Sequence, residues 1–293
     1  MPMHRTPNNT RPVVIVLGTN YSRSHLLSHL LGAHSACCGV GELHRYEQLM
    51  EGGGDAPVVS EYNSPLFEGL IEQPIQSWYG ILADRFAEQQ GVSAPVIVDN
   101  SKKVDWVKRI AQSENIDLRL VHLIRDPRAL VLRWLKTYDT DKRRRTQRLR
   151  VAKRMPFRAA QVLAGDVANV FVYKWLRANR QISQFMVQSK HTHALVTYHD
   201  IVFETEATLA RLMPLLGLVY EPDQLQFGEA SNFGTTKVAH ADAVRHSEIR
   251  PDLKWQTQLD QAAAQKVAEN SDVQSYLRDL GLELAPDGIV QSR

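Results

Sequence analysis

Cysteine is nearly absent from this 293-residue chain: there are two, Cys37 and Cys38. Adjacent thiols cannot build a disulfide framework or supply a zinc site unaided, and they suit a reducing compartment. Long apolar runs are also missing. Stretches such as Val13–Leu17 fall far short of the ~20 residues that span a bilayer. Residues 1–12 (MPMHRTPNNTRP) lack the apolar core of a secretory leader, so a cytoplasmic protein is expected. There is no internal repeat, no His/Cys/Asp cluster at metal-ligand spacing and no Gly-Lys-Ser/Thr Walker loop. Neither charge dominates: 35 Lys and Arg face 32 Asp and Glu, for a net +3. The 43% hydrophobic and 23% charged composition is that of a globular protein and excludes a disordered chain, a collagen or a coiled coil. A single domain over residues 1–293 is expected, with residues 1–11 as a flexible terminus.

The even balance hides a local excess. Lys136, Lys142, Arg143, Arg144, Arg145, Arg148, Arg150, Lys153, Arg154 and Arg158 are opposed only by Asp139 and Asp141. This segment carries +8 and leaves −5 for the rest of the chain. It reads as a solvated helix face or as a surface for anions: an acidic acceptor, an anionic cofactor or a membrane contact. Aromatic residues are scarce within it, which weighs against single-stranded nucleic acid. Residues 139–158 are expected to form a basic lid or loop.

Hydrophobic patterning alternates strand and helix. Arg11–Gly18 reads as a buried strand, followed by a polar turn and a helix over His25–Ala33 with leucines at helical spacing. Further strands are expected at Ala94–Asp99, Leu118–Ile124 and Ala194–Tyr198. Helices are expected at Ser77–Gln90, Lys103–Ser113, Pro127–Tyr138 with Asp126 as its cap, Asp166–Gln188, Thr205–Leu216 and Asp260–Leu280. Pro214 sits awkwardly in the last turn of its helix, and Gly217 is a plausible stop. This order predicts an α/β fold with a three-layer parallel β-sheet flanked by helices. Ligands in such folds bind at the carboxyl ends of the strands, which are residues 18–24, 99–102, 125–128 and 198–200.

Two of those loops carry anion-binding chemistry. Gly18-Thr19-Asn20-Tyr21-Ser22-Arg23-Ser24-His25 joins strand to helix, where backbone N–H groups and the helix dipole favour an anion. Taken alone it reads equally as an ordinary turn. Arg125-Asp126-Pro127-Arg128 places guanidiniums, suited to bidentate phosphate contacts, at a helix start. Arg133 follows two helical turns on.

In combination these segments are more specific. The runs VLG…YSRSHLLSHLLGAHS…GVGELHRYE, VIVDNSKKVDW, LRLVHLIRDPRALVLRWL and ALVTYHDIV…TLARLMPLLGL occur in one order. So ordered, the chain resembles the bacterial branch of the sulfotransferases that use 3′-phosphoadenosine 5′-phosphosulfate (PAPS). The resemblance covers about Val13–Leu218 and, more weakly, His240–Trp255. It implies a P-loop NTPase-like fold and transfer of a sulfuryl group to a hydroxyl or amine of a small-molecule or glycan acceptor. By the same resemblance, Ser22, Arg23, Ser24 and His25 contact the phosphosulfate, with Tyr21 at the family's basic position and Arg23 at its glycine. Arg125 and the side chain at position 133, here Arg133 in place of serine, hold the 3′-phosphate. Arg245 matches the arginine of a late nucleotide loop. Glu42, after Gly41, takes the place of the catalytic base, with His44 and His25 as competitors. Lys102 would stabilise the transferring sulfuryl or bridging oxygens, and no metal is required. The departures at 21, 23 and 133 bear on catalysis more than on fold. Two alternatives are a binding protein that keeps the anion pocket without turnover and a kinase-like nucleotide enzyme, against which the missing Walker lysine counts.

Overall fold

The computed structural model describes residues 10–51, 64–113, 115–228 and 248–292. Five parallel strands form the central sheet: β1 (Arg11–Gly18), β2 (Cys37–Gly41), β3 (Val96–Lys102), β4 (Ile116–Ile124) and β5 (Thr192–Thr197), in the order β2-β3-β1-β4-β5. A C-terminal antiparallel hairpin adds β6 (Leu282–Ala285) and β7 (Gly288–Gln291). The helices are α1 (Ser24–Gly32), α2 (Leu43–Glu51), α3 (Trp78–Gln90), α4 (Val104–Ile110), α5 (Pro127–Thr137), α6 (Asp141–Arg154) and α7 (Ala159–Ala164). They continue as α8 (Val167–Gln188), α9 (Tyr198–Phe203), α10 (Thr205–Leu212), α11 (Trp255–Gln258), α12 (Gln261–Ala268) and α13 (Ser271–Asp279).

The run VVIVL has no polar alternation because both sides of β1 are covered. Val13, Ile15 and Leu17 pack with Trp78, Tyr79 and Leu82 of α3 and with Val107 of α4. Val14 and Val16 pack on the other side with Leu27, Leu30 and Leu31 of α1 and Leu209 and Leu212 of α10. A separate apolar cluster joins α5, α8 and the C-terminal helices through Trp134, Phe171, Trp175 and Leu277. The three-layer parallel sheet expected from patterning is the one observed.

Several boundaries differ from the sequence reading. β1 begins at Arg11, whose guanidinium donates to Gly80 O at 3.0 Å. That residue is therefore strand rather than flexible terminus, and residues 1–9 lie outside the described residues. Cys37-Cys38-Gly39-Val40-Gly41 forms the edge strand β2, although glycine and cysteine give it no strand signature. Pairing with β3 supplies what local propensity lacks. Pro214 ceases to be a misfit because α10 ends at Leu212 and a 3₁₀ turn, Met213–Leu216, takes over with proline in its first turn. Gly217 then closes it at φ +74°. The expected helix Asp260–Leu280 is two helices, because Asn270 interrupts it and caps α13 by accepting from Val273 N. Within the segment 139–158, expected as a basic lid or loop, Asp141–Arg154 is helix α6, capped by Thr140 and seated through Gln147, Val151 and Ala152, and Pro156–Arg158 is a 3₁₀ turn.

Candidate functional site

All five central strands deliver polar side chains to one edge of the sheet. β1 leads into the loop Thr19–Arg23, β2 into Glu42, β3 ends in Lys102, β4 in Arg125 and β5 in Tyr198. The sheet loses regular register at this edge, between Ile15 and Leu17 of β1 and between Gly39 and Gly41 of β2. Such irregularities re-aim side chains.

The first loop is tightly folded. Tyr21 and Arg23 both adopt left-handed backbone, at φ +71° and +70°. The glycine conformation expected at position 23 is therefore kept, with an arginine in it, at roughly 1 kcal/mol of strain. Arg23 is the residue flanking the start of α1. Thr19, Ser22 and Ser24 are buried, and their hydroxyl oxygens find no hydrogen-bond partner among the described residues. Three orphaned hydroxyls at a helix N-terminus suit a multiply charged oxyanion. Gly18 makes room for the cradle: a Cβ there would lie 2.9 Å from both Ser22 Oγ and Leu123 O. Gly18→Ala is expected to destabilise the fold by about 1–3 kcal/mol, measured as a lowered melting temperature, because the backbone carbonyl cannot swing away.

On one side of this cradle Glu42 gathers three basic groups. Lys102 Nζ donates to Glu42 Oε1, His25 Nε2 lies 3.1 Å from the same oxygen, and His44 Nε2 lies 3.9 Å from Oε2. Burial pushes the Glu42 carboxyl upward, but the His25 and Lys102 contacts more than offset this and hold it at about 2. His44 is lowered to about 4, chiefly by burial, and is neutral at pH 7. Lys102 reaches Glu42 because the end of β3 turns sharply, at φ +63°. Asp99 pins that turn. It accepts from Ser101 N at 2.7 Å, Ser101 Oγ at 2.5 Å and Tyr79 Oη at 2.5 Å, and burial raises it to about 6.

On the other side lie the arginines. Arg125 donates to Tyr21 O and to Asp252 Oδ2, both at 2.9 Å, and sits 4.6 Å from the Tyr198 ring. Arg23 donates to the same Asp252 oxygen at 2.9 Å. Burial pushes the Asp252 carboxyl upward, but the two guanidiniums outweigh it and hold it at about 2. Trp175 Nε1 fixes Arg125 from behind by donating to its carbonyl at 2.8 Å. Arg133 lies exposed, 4.6 Å over the Tyr21 ring. Arg125 and Arg133 therefore flank Tyr21 instead of converging on one another. Arg128 is structural: it donates to Asp126 and to Ala285 O and stacks 3.9 Å from Trp255.

Of the residues expected at the site, the structure places Glu42, Lys102, His25, His44, Tyr21, Ser22, Arg23, Ser24, Arg125 and Arg133 around this strand-end edge. Arg245 lies outside the described residues. The sequence assigns no individual role to Thr19, Asp99, Tyr198 or Asp252, although the first three lie in strand-end loops where ligand chemistry is expected. Asp252 falls in the weakly similar stretch His240–Trp255, and no motif there points to Arg125, 127 residues away in the chain. Among the described residues no group of three or more His, Cys, Asp or Glu side chains is placed to hold a metal ion.

No family model and no curated sequence matches the chain. Solved structures do. A sulfotransferase domain from the curacin biosynthetic pathway matches with a TM-score of 0.54 at 17% identity, over 88% of this chain and 96% of that one. The sulfotransferase domain of the Synechococcus PCC 7002 olefin synthase matches with a TM-score of 0.52 at 18% identity, over 92% and 96%. Together with the parallel sheet and the strand-edge site, these matches give the chain the fold of the sulfotransferase domains.

Proposed function

We propose that the protein is a sulfotransferase that uses PAPS as donor and a hydroxyl or amine of a small molecule or glycan as acceptor. The observation that carries this reading is the set of orphaned buried hydroxyls of Thr19, Ser22 and Ser24 beside the Glu42–Lys102–His25 cluster. When bound, the donor supplies a sulfuryl group on a phosphate leaving group. The three hydroxyls and the first turn of α1 would hold its 5′-phosphosulfate, and Arg125 would hold the 3′-phosphate. In an in-line displacement the acceptor oxygen or nitrogen forms the new bond to sulfur as the bond from sulfur to the bridging oxygen breaks. The acceptor's proton goes to the Glu42 carboxylate.

Glu42 as found is a weak base, because Lys102 and His25 hold its charge. Lys102 has a second task, neutralising charge on the sulfuryl or bridging oxygens. Its movement from Glu42 toward those oxygens would raise the basicity of Glu42 as the acceptor arrives. In Lys102→Met the acid limb of the residual rate is therefore expected to rise from about 2 toward the ordinary carboxylate range near ~4. A pH–rate profile with an unmoved acid limb would show that the two side chains do not work as a pair.

A second reading has one specific observation behind it. Asp252 already engages both Arg23 and Arg125, as in a binding protein that keeps the pocket without turnover. Thermal melting separates the readings. At a hundred times its dissociation constant, 3′-phosphoadenosine 5′-phosphate is expected to add about 2.7 kcal/mol, with AMP, ADP and ATP giving less. No shift at millimolar concentration overturns the nucleotide site. A shift without turnover of PAPS favours the second reading.

A further inference from the structure

The basic block has one exposed surface of a mixed kind. α6 and α7 pack as a helical hairpin: Arg148, on α6, donates to the carbonyls of Leu163 and Gly165 at 2.5 and 2.6 Å, at the end of α7. With Gln147, Val151 and Ala152 turned into the fold, Lys142, Arg145, Leu149 and Lys153 share the outward face at three- and four-residue spacing. Arg143 and Arg158 are paired, with Asp139 and Asp272. On this face Lys142, Arg145 and Lys153 are exposed and have no carboxylate within ion-pair distance among the described residues, whereas Arg150 and Arg154 lie toward Lys174 and Arg177 of α8. The 3₁₀ turn that closes the hairpin, Pro156–Arg158, presents Phe157 with 100% of its surface exposed. Leu149 and Leu163, beside the Arg148 bonds, are 54% and 47% exposed.

The geometry points to a peripheral docking surface for an anionic lipid bilayer. Uncompensated ammonium and guanidinium groups meet anionic headgroups, and the Phe157 ring and the two leucines enter the boundary with the acyl chains. A hydrated polyanion would satisfy the charges but leave Phe157, Leu149 and Leu163 in water. No helix among the described residues is long and apolar enough to cross a membrane, so the contact is made from one side. It does not depend on the nucleotide site.

Vesicle co-sedimentation of the full chain tests it. Binding is expected to vesicles of phosphatidylcholine with phosphatidylserine, but not to phosphatidylcholine alone, and is expected to weaken as salt shortens the Debye length below ~10 Å. Phe157→Ser is expected to weaken binding about tenfold, and Lys142→Ala/Arg145→Ala/Lys153→Ala about a hundredfold. Both variants should keep the parental melting temperature, which separates lost docking from lost folding. Absence of binding to the anionic vesicles at low salt overturns the proposal. So does full binding by Phe157→Ser, or retention on heparin without vesicle binding, which identifies a soluble polyanion as partner.

Discussion

Asp252→Asn is expected to tighten binding of 3′-phosphoadenosine 5′-phosphate about tenfold while making the unliganded protein less stable. The two effects have one cause. Asp252 Oδ2 receives Arg23 and Arg125, each at 2.9 Å, so an arriving phosphate must displace a carboxylate that already uses both donors. A charge-assisted hydrogen bond contributes about 1.5–3 kcal/mol, and tenfold in affinity is ~1.4 kcal/mol. The variant removes the competitor and raises the local positive potential. The stability change follows from the depressed carboxyl of Asp252, at about 2 against an ordinary 3.8. A depressed carboxyl stabilises the folded state above its unfolded value and loses that contribution as pH falls through its folded value. The loss in Asp252→Asn should therefore be fullest above pH ~4 and shrink between ~4 and ~2. After allowance for solvent screening it amounts to about 1–2 kcal/mol. Calorimetric titration and melting over that pH range check both. If affinity instead falls, Asp252 serves to hold the arginines in their binding geometry.

Glu42→Gln is expected to lower kcat by about 10²–10⁴, the span of a lost general base, with nucleotide affinity kept within about twofold. The separation is geometric. Glu42 touches Lys102, His25 and His44, whereas the orphaned hydroxyls and Arg125 belong to other loops. A fall of less than tenfold would move the base elsewhere. His25 would be next in order, since its Nε2 lies 3.1 Å from Glu42 and its ring is exposed. His44 is the weaker candidate: burial holds it neutral, and its Nδ1 is buried with no hydrogen-bond partner among the described residues. Steady-state rates set beside nucleotide titrations of Glu42→Gln and His25→Ala decide between them.

How far each feature was legible depended on how local its cause is. The helix start at Pro127 was readable because the cap is two residues long: Asp126 accepts from Arg128 N at 2.7 Å. The strand β1 was readable because a buried parallel strand needs apolar side chains on both faces. The edge strand β2 was not, because Cys37–Gly41 owes its conformation to pairing with β3. The break at Asn270 is hard to read because helix-forming residues flank it on both sides, and the cap that starts the second helix is a single side-chain hydrogen bond.

The same division runs through the site. By itself the sequence determined the layered α/β architecture, the strand ends that carry chemistry, and most of the charged groups there, because hydrophobic period and loop residue types are written along the chain. Tertiary structure alone decided which charges meet. It set Asp252 on both arginines, turned Arg133 onto Tyr21, drew Lys102 to Glu42 through a left-handed turn, and left the hydroxyls of Thr19, Ser22 and Ser24 buried with no hydrogen-bond partner among the described residues. The physical reason is range. Backbone period acts over a few residues, whereas ion pairs and burial depend on distances in space between segments more than a hundred residues apart in the chain.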